Sequence, residues 1–177
     1  MFNDLPENAE LVAGTTVRIP TVAEGAAALE AAGLGPGQDA TAQCANETGV
    51  DPSRVVPAPG MAHIPSPFGA LHLAPSAAAA WNRMRAASLE RYGTDLYPAG
   101  PLSAYRTYAQ QAYLYCLYRS GAGAPAAPPG TSHHEIGTAV DLATPAMRWV
   151  VDRIGSRYGW GKTDGPGEWW HVDYLGP

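Results

Sequence analysis

Two short segments hold three of the chain's five histidines, each beside acidic residues. The first reads Ser132-His133-His134-Glu135-Ile136-Gly137-Thr138-Ala139-Val140-Asp141, the second Glu168-Trp169-Trp170-His171. A catalytic zinc ion takes about three nitrogen or oxygen ligands and keeps one position open for water. His134 and His171 offer imidazoles and Asp141 a carboxylate, which leaves that position free. A His2Asp set also accepts other divalent ions. Metal-assisted hydrolysis further needs a base beside the metal, and Glu168 precedes His171 by three residues. In a straight strand that odd spacing would send the two side chains to opposite faces. Gly165-Pro166-Gly167 predicts a bend that lets them converge. Gly137 can likewise turn the chain so that a loop histidine and a strand aspartate face one point.

The elements that must position these groups can be read from periodicity and capping. Thr21 and Glu24 form a capping-box pattern, which predicts a helix through the Ala/Leu stretch to Ala32, stopped by Gly33. A polar stretch with glycines and prolines follows from Gly35 to Gly60 and contains Cys44. From Met61 onward the pattern is that of one compact unit. Ser76 can cap a helix reaching Tyr92 and ended by Gly93, with Trp81, Met84, Ser88 and Tyr92 on one face. Leu102 to Tyr105 reads as a short strand. Thr107 can cap a helix from Tyr108 to Arg119, stopped by Gly121, with Tyr113, Tyr115 and Tyr118 in its packing. Thr138 to Leu142 and Trp169 to Tyr174 alternate like strands. Met147, Val150, Val151, Ile154 and Tyr158 form a helical stripe. Helices mixed with short antiparallel strands, without a βαβ rhythm, predict an α+β fold. The expected organisation is an N-terminal extension over 1–60 and one catalytic domain over 61–177.

Composition narrows the class. The chain has 177 residues, 46 % apolar and only 15 % charged, with 20 glycines and 17 prolines. That suits one domain with a sizeable core and many turns, and it is the opposite of a disordered chain. The net charge is −5 and no cluster of lysines and arginines occurs, so the electrostatic footprint of a nucleic-acid binder is missing. No membrane span or signal peptide is legible. Cys44 and Cys116 lie too far apart for a close-spaced zinc pair; they read either as two buried thiols or as one bridge tying the N-terminal segment to the core.

The motifs together resemble those of the zinc D-alanyl-D-alanine carboxypeptidase family. That family includes carboxypeptidases, dipeptidases and phage L-alanyl-D-glutamate endopeptidases, and shares its fold with the hedgehog signalling domain. Ser132, His134, Gly137, Ala139 and Asp141 match its Ser-x-His-x-x-Gly-x-Ala-x-Asp motif. Glu168, Trp170 and His171 match its Glu-x-Trp-His motif. Ser103-Ala104-Tyr105-Arg106-Thr107 with Gln111 is similar to a third. The resemblance covers roughly residues 61 to 177. It departs at Val172-Asp173, where the family often has an aromatic residue and then arginine, and in a short stretch between Asp141 and Glu168.

The resemblance implies a hedgehog/D,D-peptidase fold with a small antiparallel sheet flanked by helices. It implies one Zn2+ held by His134, Asp141 and His171, rather than by the adjacent His133. Glu168 would be the general base. Arg106 would polarise the scissile carbonyl or hold a carboxylate. The implied substrate is a peptidoglycan stem peptide, cut by a D-Ala-releasing carboxypeptidase. The alternatives are an L-Ala-D-Glu endopeptidase of the phage endolysin type and a non-catalytic, zinc-containing cell-wall-binding module. Ser132, Gln111 and Trp169 are the expected substrate contacts, although Ser132 could equally cap a turn and Gln111 brace the Arg106 loop. Trp170 is expected beneath the site. Asp173 reads first as a solvated strand residue and second as a hydrogen-bond partner of a ligand histidine, and His63 and His72 as surface groups or as groups behind the site. A monomer acting in the cell wall, periplasm or outside the cell is expected.

Overall fold

The computed structural model describes Thr21, Glu24, residues 40–162 and residues 167–176. The chain divides into two compact units, Met1–Gln43 and Cys44–Pro177. In the first, the expected capping box is formed. The Thr21 amide donates to Glu24 Oε2 at 2.9 Å, and the Glu24 amide to Thr21 Oγ1 at 3.3 Å. The rest of the helix expected to Ala32 lies outside the described residues, as do Gly165 and Pro166. The division falls earlier than residue 60, so Cys44 and the segment after it belong to the larger unit.

Helix α1 (Ala40–Thr48) is followed by a hairpin of β1 (Ala62–Ile64) and β2 (Leu71–Leu73). Helix α2 (Pro75–Tyr92) packs on that hairpin. It buries Ala77, Ala78, Ala80, Trp81, Met84 and Ser88, and the alanines allow close approach to the strands. Its start differs from expectation. Ala74 is the N-cap without a side-chain bond, and Pro75 opens the first turn. A proline there has no amide to satisfy and a φ already suited to the helix, so the Ser76 cap is not needed. Tyr92 is 37 % exposed rather than buried, its ring edge-on to Trp149 at 5.6 Å. Gly93 closes the helix in the left-handed region.

Helix α3 (Tyr108–Arg119) has the expected Thr107 cap, completed by Gln110 as a capping box. Helix α4 (Pro145–Ile154) is capped by Thr144 and buries Met147, Val150, Val151 and Ile154. A short 3-10 helix (Gly155–Tyr158) leads into β4 (Trp160–Gly161). The second sheet has the order β3–β5–β4, all antiparallel, with β3 spanning Ala139–Asp141 and β5 His171–Tyr174. The hairpin, α2, α4 and this sheet share one apolar core around Trp81, Trp160, Leu73 and Val140.

The strand expected over Leu102–Tyr105 does not form. Its backbone bonds go to different partners. The Asp141 amide donates to the Ser103 carbonyl, and the Tyr105 amide donates to the His72 carbonyl. The segment is therefore a strap between the hairpin and β3, not a rung of one ladder. Cys44 and Cys116 form a disulfide, which decides between the two readings left open by the sequence. It joins α1 to α3 beside a smaller apolar cluster of Leu102, Tyr113 and Leu117.

Candidate active site

The register of the second sheet does the first part of the positioning. Asp141 pairs with His171 across β3 and β5, and Ala139 pairs with Asp173. Directly opposed residues project from the same face, so an aspartate and a histidine far apart in sequence meet. Asp141 Oδ1 lies 2.9 Å from His171 Nδ1.

His134 arrives from the loop before β3. That loop is a series of tight turns, with Glu135 N donating to Ser132 O at 3.0 Å and Gly137 N to His134 O at 3.0 Å. Glu135 Oε2 accepts from the amides of Gly130 and Ser132. Gly137 has φ +71°, and a Cβ there would lie 2.6 Å from the Ala74 amide nitrogen. Only glycine satisfies both demands. The Gly137 carbonyl accepts from that same amide at 2.9 Å, which ties the loop to the start of α2. His134 is 2 % exposed. Its Nδ1 stands 2.7 Å from the Ala104 carbonyl, a contact that requires the proton on Nδ1 and leaves the Nε2 lone pair facing inward. Nε2 lies 3.3 Å from both His171 Nδ1 and Asp141 Oδ1.

Three ligand atoms thus form a triangle with edges of 2.9, 3.3 and 3.3 Å. Tetrahedral zinc with ligand bonds of about 2.0–2.1 Å has edges of about 3.3 Å. The electrostatics agree with a cation. Burial and the Arg106 charge push His134 below its ordinary value. Asp141 is held well below the carboxylate range, since His134 and Arg106 outweigh its burial. Although burial opposes it, hydrogen bonds and charges from Asp141 and Asp173 push His171 up to about 10. Without metal, then, one proton is held where three electron-pair donors converge. A divalent cation does the same job with better geometry, so the donor set fits the metal that the motif implies.

Arg106 is 8 % exposed, on the strap. Its Nε bonds the Leu102 carbonyl, Nη1 donates to Gln111 Oε1 at 3.2 Å, and Nη2 pairs with Asp141 Oδ2. The guanidinium that the sequence assigns to substrate is in the first place a clamp on Asp141, which leaves Oδ1 to the metal triangle. Gln111 is fully buried between Arg106 and the Ala127 carbonyl, 2.8 Å from its Nε2. It braces the clamp, one of the two roles the sequence leaves open for it, and is not among the residues lining the cleft.

A cleft of about 620 Å³ opens over the triangle. Ser132, His133, Glu168 and Trp170 line it close to the three donors, and Leu114, Leu117, Tyr118 and Pro125 form an apolar wall. The Ser132 hydroxyl accepts from the His134 amide at 3.3 Å, so it holds the loop as well as facing the cleft. Trp169 is not among the lining residues, whereas Trp170 is. The expected faces are exchanged because β5 begins only at His171. Glu168 to His171 is a turn closed by the His171 amide and the Glu168 carbonyl at 3.2 Å. That turn brings Glu168 and His171 to one cleft. Tyr118 lines the cleft, with its ring also 6.3 Å from that of Tyr115 on α3, and Tyr113 is buried as expected. His63 and His72 stack edge-to-face at 4.8 Å on the hairpin, outside the cleft lining. Of the two readings the sequence leaves for Asp173, a solvated residue and a partner of a ligand histidine, the structure has the second. Asp173 is 1 % exposed and contacts both His171 and His133; alternation along β5 from His171 was the signal for its true face.

Comparison with known proteins gives the family and the fold. The model of the VanY family, D-alanyl-D-alanine carboxypeptidase, matches residues 70–160. That span contains Arg106, His134 and Asp141 and stops short of Glu168 and His171. No curated protein sequence matches the chain. Among solved structures, VanYB in complex with D-alanine-D-alanine shares the fold, with 20 % identity and a TM-score of 0.52 over 72 % of this chain and 84 % of that one. The LdcB LD-carboxypeptidase is also similar, with 20 % identity and a TM-score of 0.47 over 71 % and 86 %. By its motifs, its α+β fold and the family match over half its length, the chain belongs to the VanY family of D-alanyl-D-alanine carboxypeptidases.

Proposed function

We propose that the chain is a zinc-dependent peptidase of peptidoglycan stem peptides that releases the terminal D-Ala. The observation that carries this reading is the convergence of His134 Nε2, Asp141 Oδ1 and His171 Nδ1 on one point at the floor of a cleft. Family membership supports the substrate class.

Zinc held by those three residues would supply Lewis acidity and would lower the pKa of a water in the open position. The Glu168 carboxylate lines the same cleft and is the group to take the proton of the attacking water and return it to the leaving amine. Arg106 keeps Asp141 ionised and fixed in rotamer. A guanidinium carries five donors in a planar fork, so its remaining N–H groups can face a carbonyl or carboxylate in the cleft. Ser132 and Trp170 border the peptide path.

One observation favours a second reading, cleavage within the stem peptide as an L-Ala-D-Glu endopeptidase. A C-terminal carboxylate needs a cation, and among the described residues Arg106 is the only arginine or lysine lining the cleft, with one donor on each of its nitrogens already given to the protein and only the second N–H of each Nη left for substrate. The apolar wall of Leu114, Leu117 and Tyr118 also leaves room for chain beyond the scissile bond.

Digestion of a synthetic pentapeptide and of purified peptidoglycan, with and without chelator, separates the readings by mass spectrometry. Chelator-sensitive loss of one D-Ala supports the carboxypeptidase. Cuts only inside stem peptides support the endopeptidase. Zinc uptake without any product would refute both and leave a binding module.

A further inference from the structure

We propose that Asp173 is a positioning residue of the metal centre, acting through His171 and tying that centre to His133 at the cleft mouth. The inference rests on the metal reading above and adds a residue outside the three motifs.

Asp173 sits two residues beyond His171 on β5, so both side chains leave the strand on the same face. Its carboxylate oxygen Oδ1 is 3.3 Å from His171 Nε2 and 2.8 Å from His133 Nδ1. The strand that carries it is paired on both sides, Asp173 opposing Ala139 on β3 and Gly161 on β4. A carboxylate 1 % exposed on the central strand of a sheet is a rigid reference point. The small Ala139 opposite it does not obstruct the approach of His133 from the loop.

The chemistry follows from the two nitrogens of His171. For Nδ1 to face Asp141 Oδ1 and His134 Nε2 as a ligand, the ring proton must be on Nε2. A carboxylate next to Nε2 selects that tautomer, holds the ring plane and makes Nδ1 a better donor. His134 receives the equivalent service from the Ala104 carbonyl at its Nδ1. The two ligand histidines are thus held at opposite ring nitrogens, one by a backbone oxygen and one by Asp173. The same oxygen of Asp173 accepts from His133 Nδ1. His133, with its side chain 55 % exposed, stands at the cleft lining, where substrate passes the metal ligands.

The experiment measures zinc dissociation by chelator competition on the full chain, for wild type, Asp173→Ala, Asp173→Asn and His133→Ala. The melting temperature of each metal-free protein and KM and kcat on the cleaved peptide are recorded alongside. Asp173→Ala is expected to weaken zinc binding about 10–100-fold. Asp173→Asn keeps an accepting oxygen and should fall between alanine and wild type. His133→Ala should keep wild-type zinc affinity and raise KM. Wild-type zinc affinity in a folded Asp173→Ala overturns the proposal. If that variant does not fold, the isosteric asparagine decides: weakened zinc binding supports the proposal and wild-type affinity overturns it. A wild-type chain that takes up no zinc overturns the metal reading too, so the two failures are distinguishable.

Discussion

Asp141 and His171 stand directly opposite each other in the β3–β5 ladder, and Asp141 Oδ1 lies 2.9 Å from His171 Nδ1. A sheet register therefore sets one edge of the triangle proposed to hold metal, and side-chain rotamers only refine it. A one-residue slip between these strands would send the two groups to opposite faces. His171→Ala and His134→Ala should each reduce bound zinc from one per chain to background, read by elemental analysis of the dialysed protein. Full zinc content in either variant would refute the ligand assignment.

Glu168 is expected to act on protons and not on metal retention. Glu168→Gln should keep zinc and lose about 10²–10⁴-fold in kcat, the usual contribution of a general acid–base group. Zinc content and steady-state kinetics measured on the same preparation check this. Unchanged kcat in the zinc-loaded variant would exclude Glu168 as the base.

Metal uptake should release protons. In the metal-free protein His171 is held up to about 10 by Asp141 and Asp173, so at neutral pH it carries a proton that a ligand nitrogen must give up. Apparent zinc affinity should rise with pH up to about 10 and level off above it. Titration calorimetry in buffers of different ionisation enthalpy should show about one proton released at pH 7. No dependence on the buffer would contradict the assignment.

Gly137→Ala tests the loop that delivers His134. The residue has φ +71° and its Cβ would meet the Ala74 backbone at 2.6 Å. Strain of about 1–3 kcal/mol is expected, with a lower melting temperature and weaker zinc binding together. A variant as stable as wild type would mean that the turn relaxes more easily than its contacts imply.

The disulfide stands behind one wall of the cleft. Cys116 is on α3, whose Leu114, Leu117 and Tyr118 line it. Removing the bridge by Cys44→Ser with Cys116→Ser should cost about 2–4 kcal/mol. It should also raise KM more than it changes kcat, because the metal ligands are on other elements. Thermal melts and kinetics under oxidising and reducing conditions check both parts.

What could be read from the sequence was what short-range chemistry controls. The Thr107 cap, the stops at Gly93 and Gly121, the stripe from Met147 to Ile154 and the ligand types of His134, Asp141 and His171 depend on neighbours a few residues away. The α+β class followed from those elements. The tertiary structure decided what depends on distant partners. The strap at Leu102–Tyr105 bonds β2 and β3 instead of forming a strand. Arg106 spends its donors on Asp141 and Gln111. Trp170 replaces Trp169 at the cleft because β5 starts at His171 and not before. Asp173 is buried between two histidines, one of them on a loop forty residues earlier. Each of these depends on sheet register or loop packing, which residue type and spacing along the chain do not specify, because a strand's alternation says which residues share a face but not which strand will lie opposite.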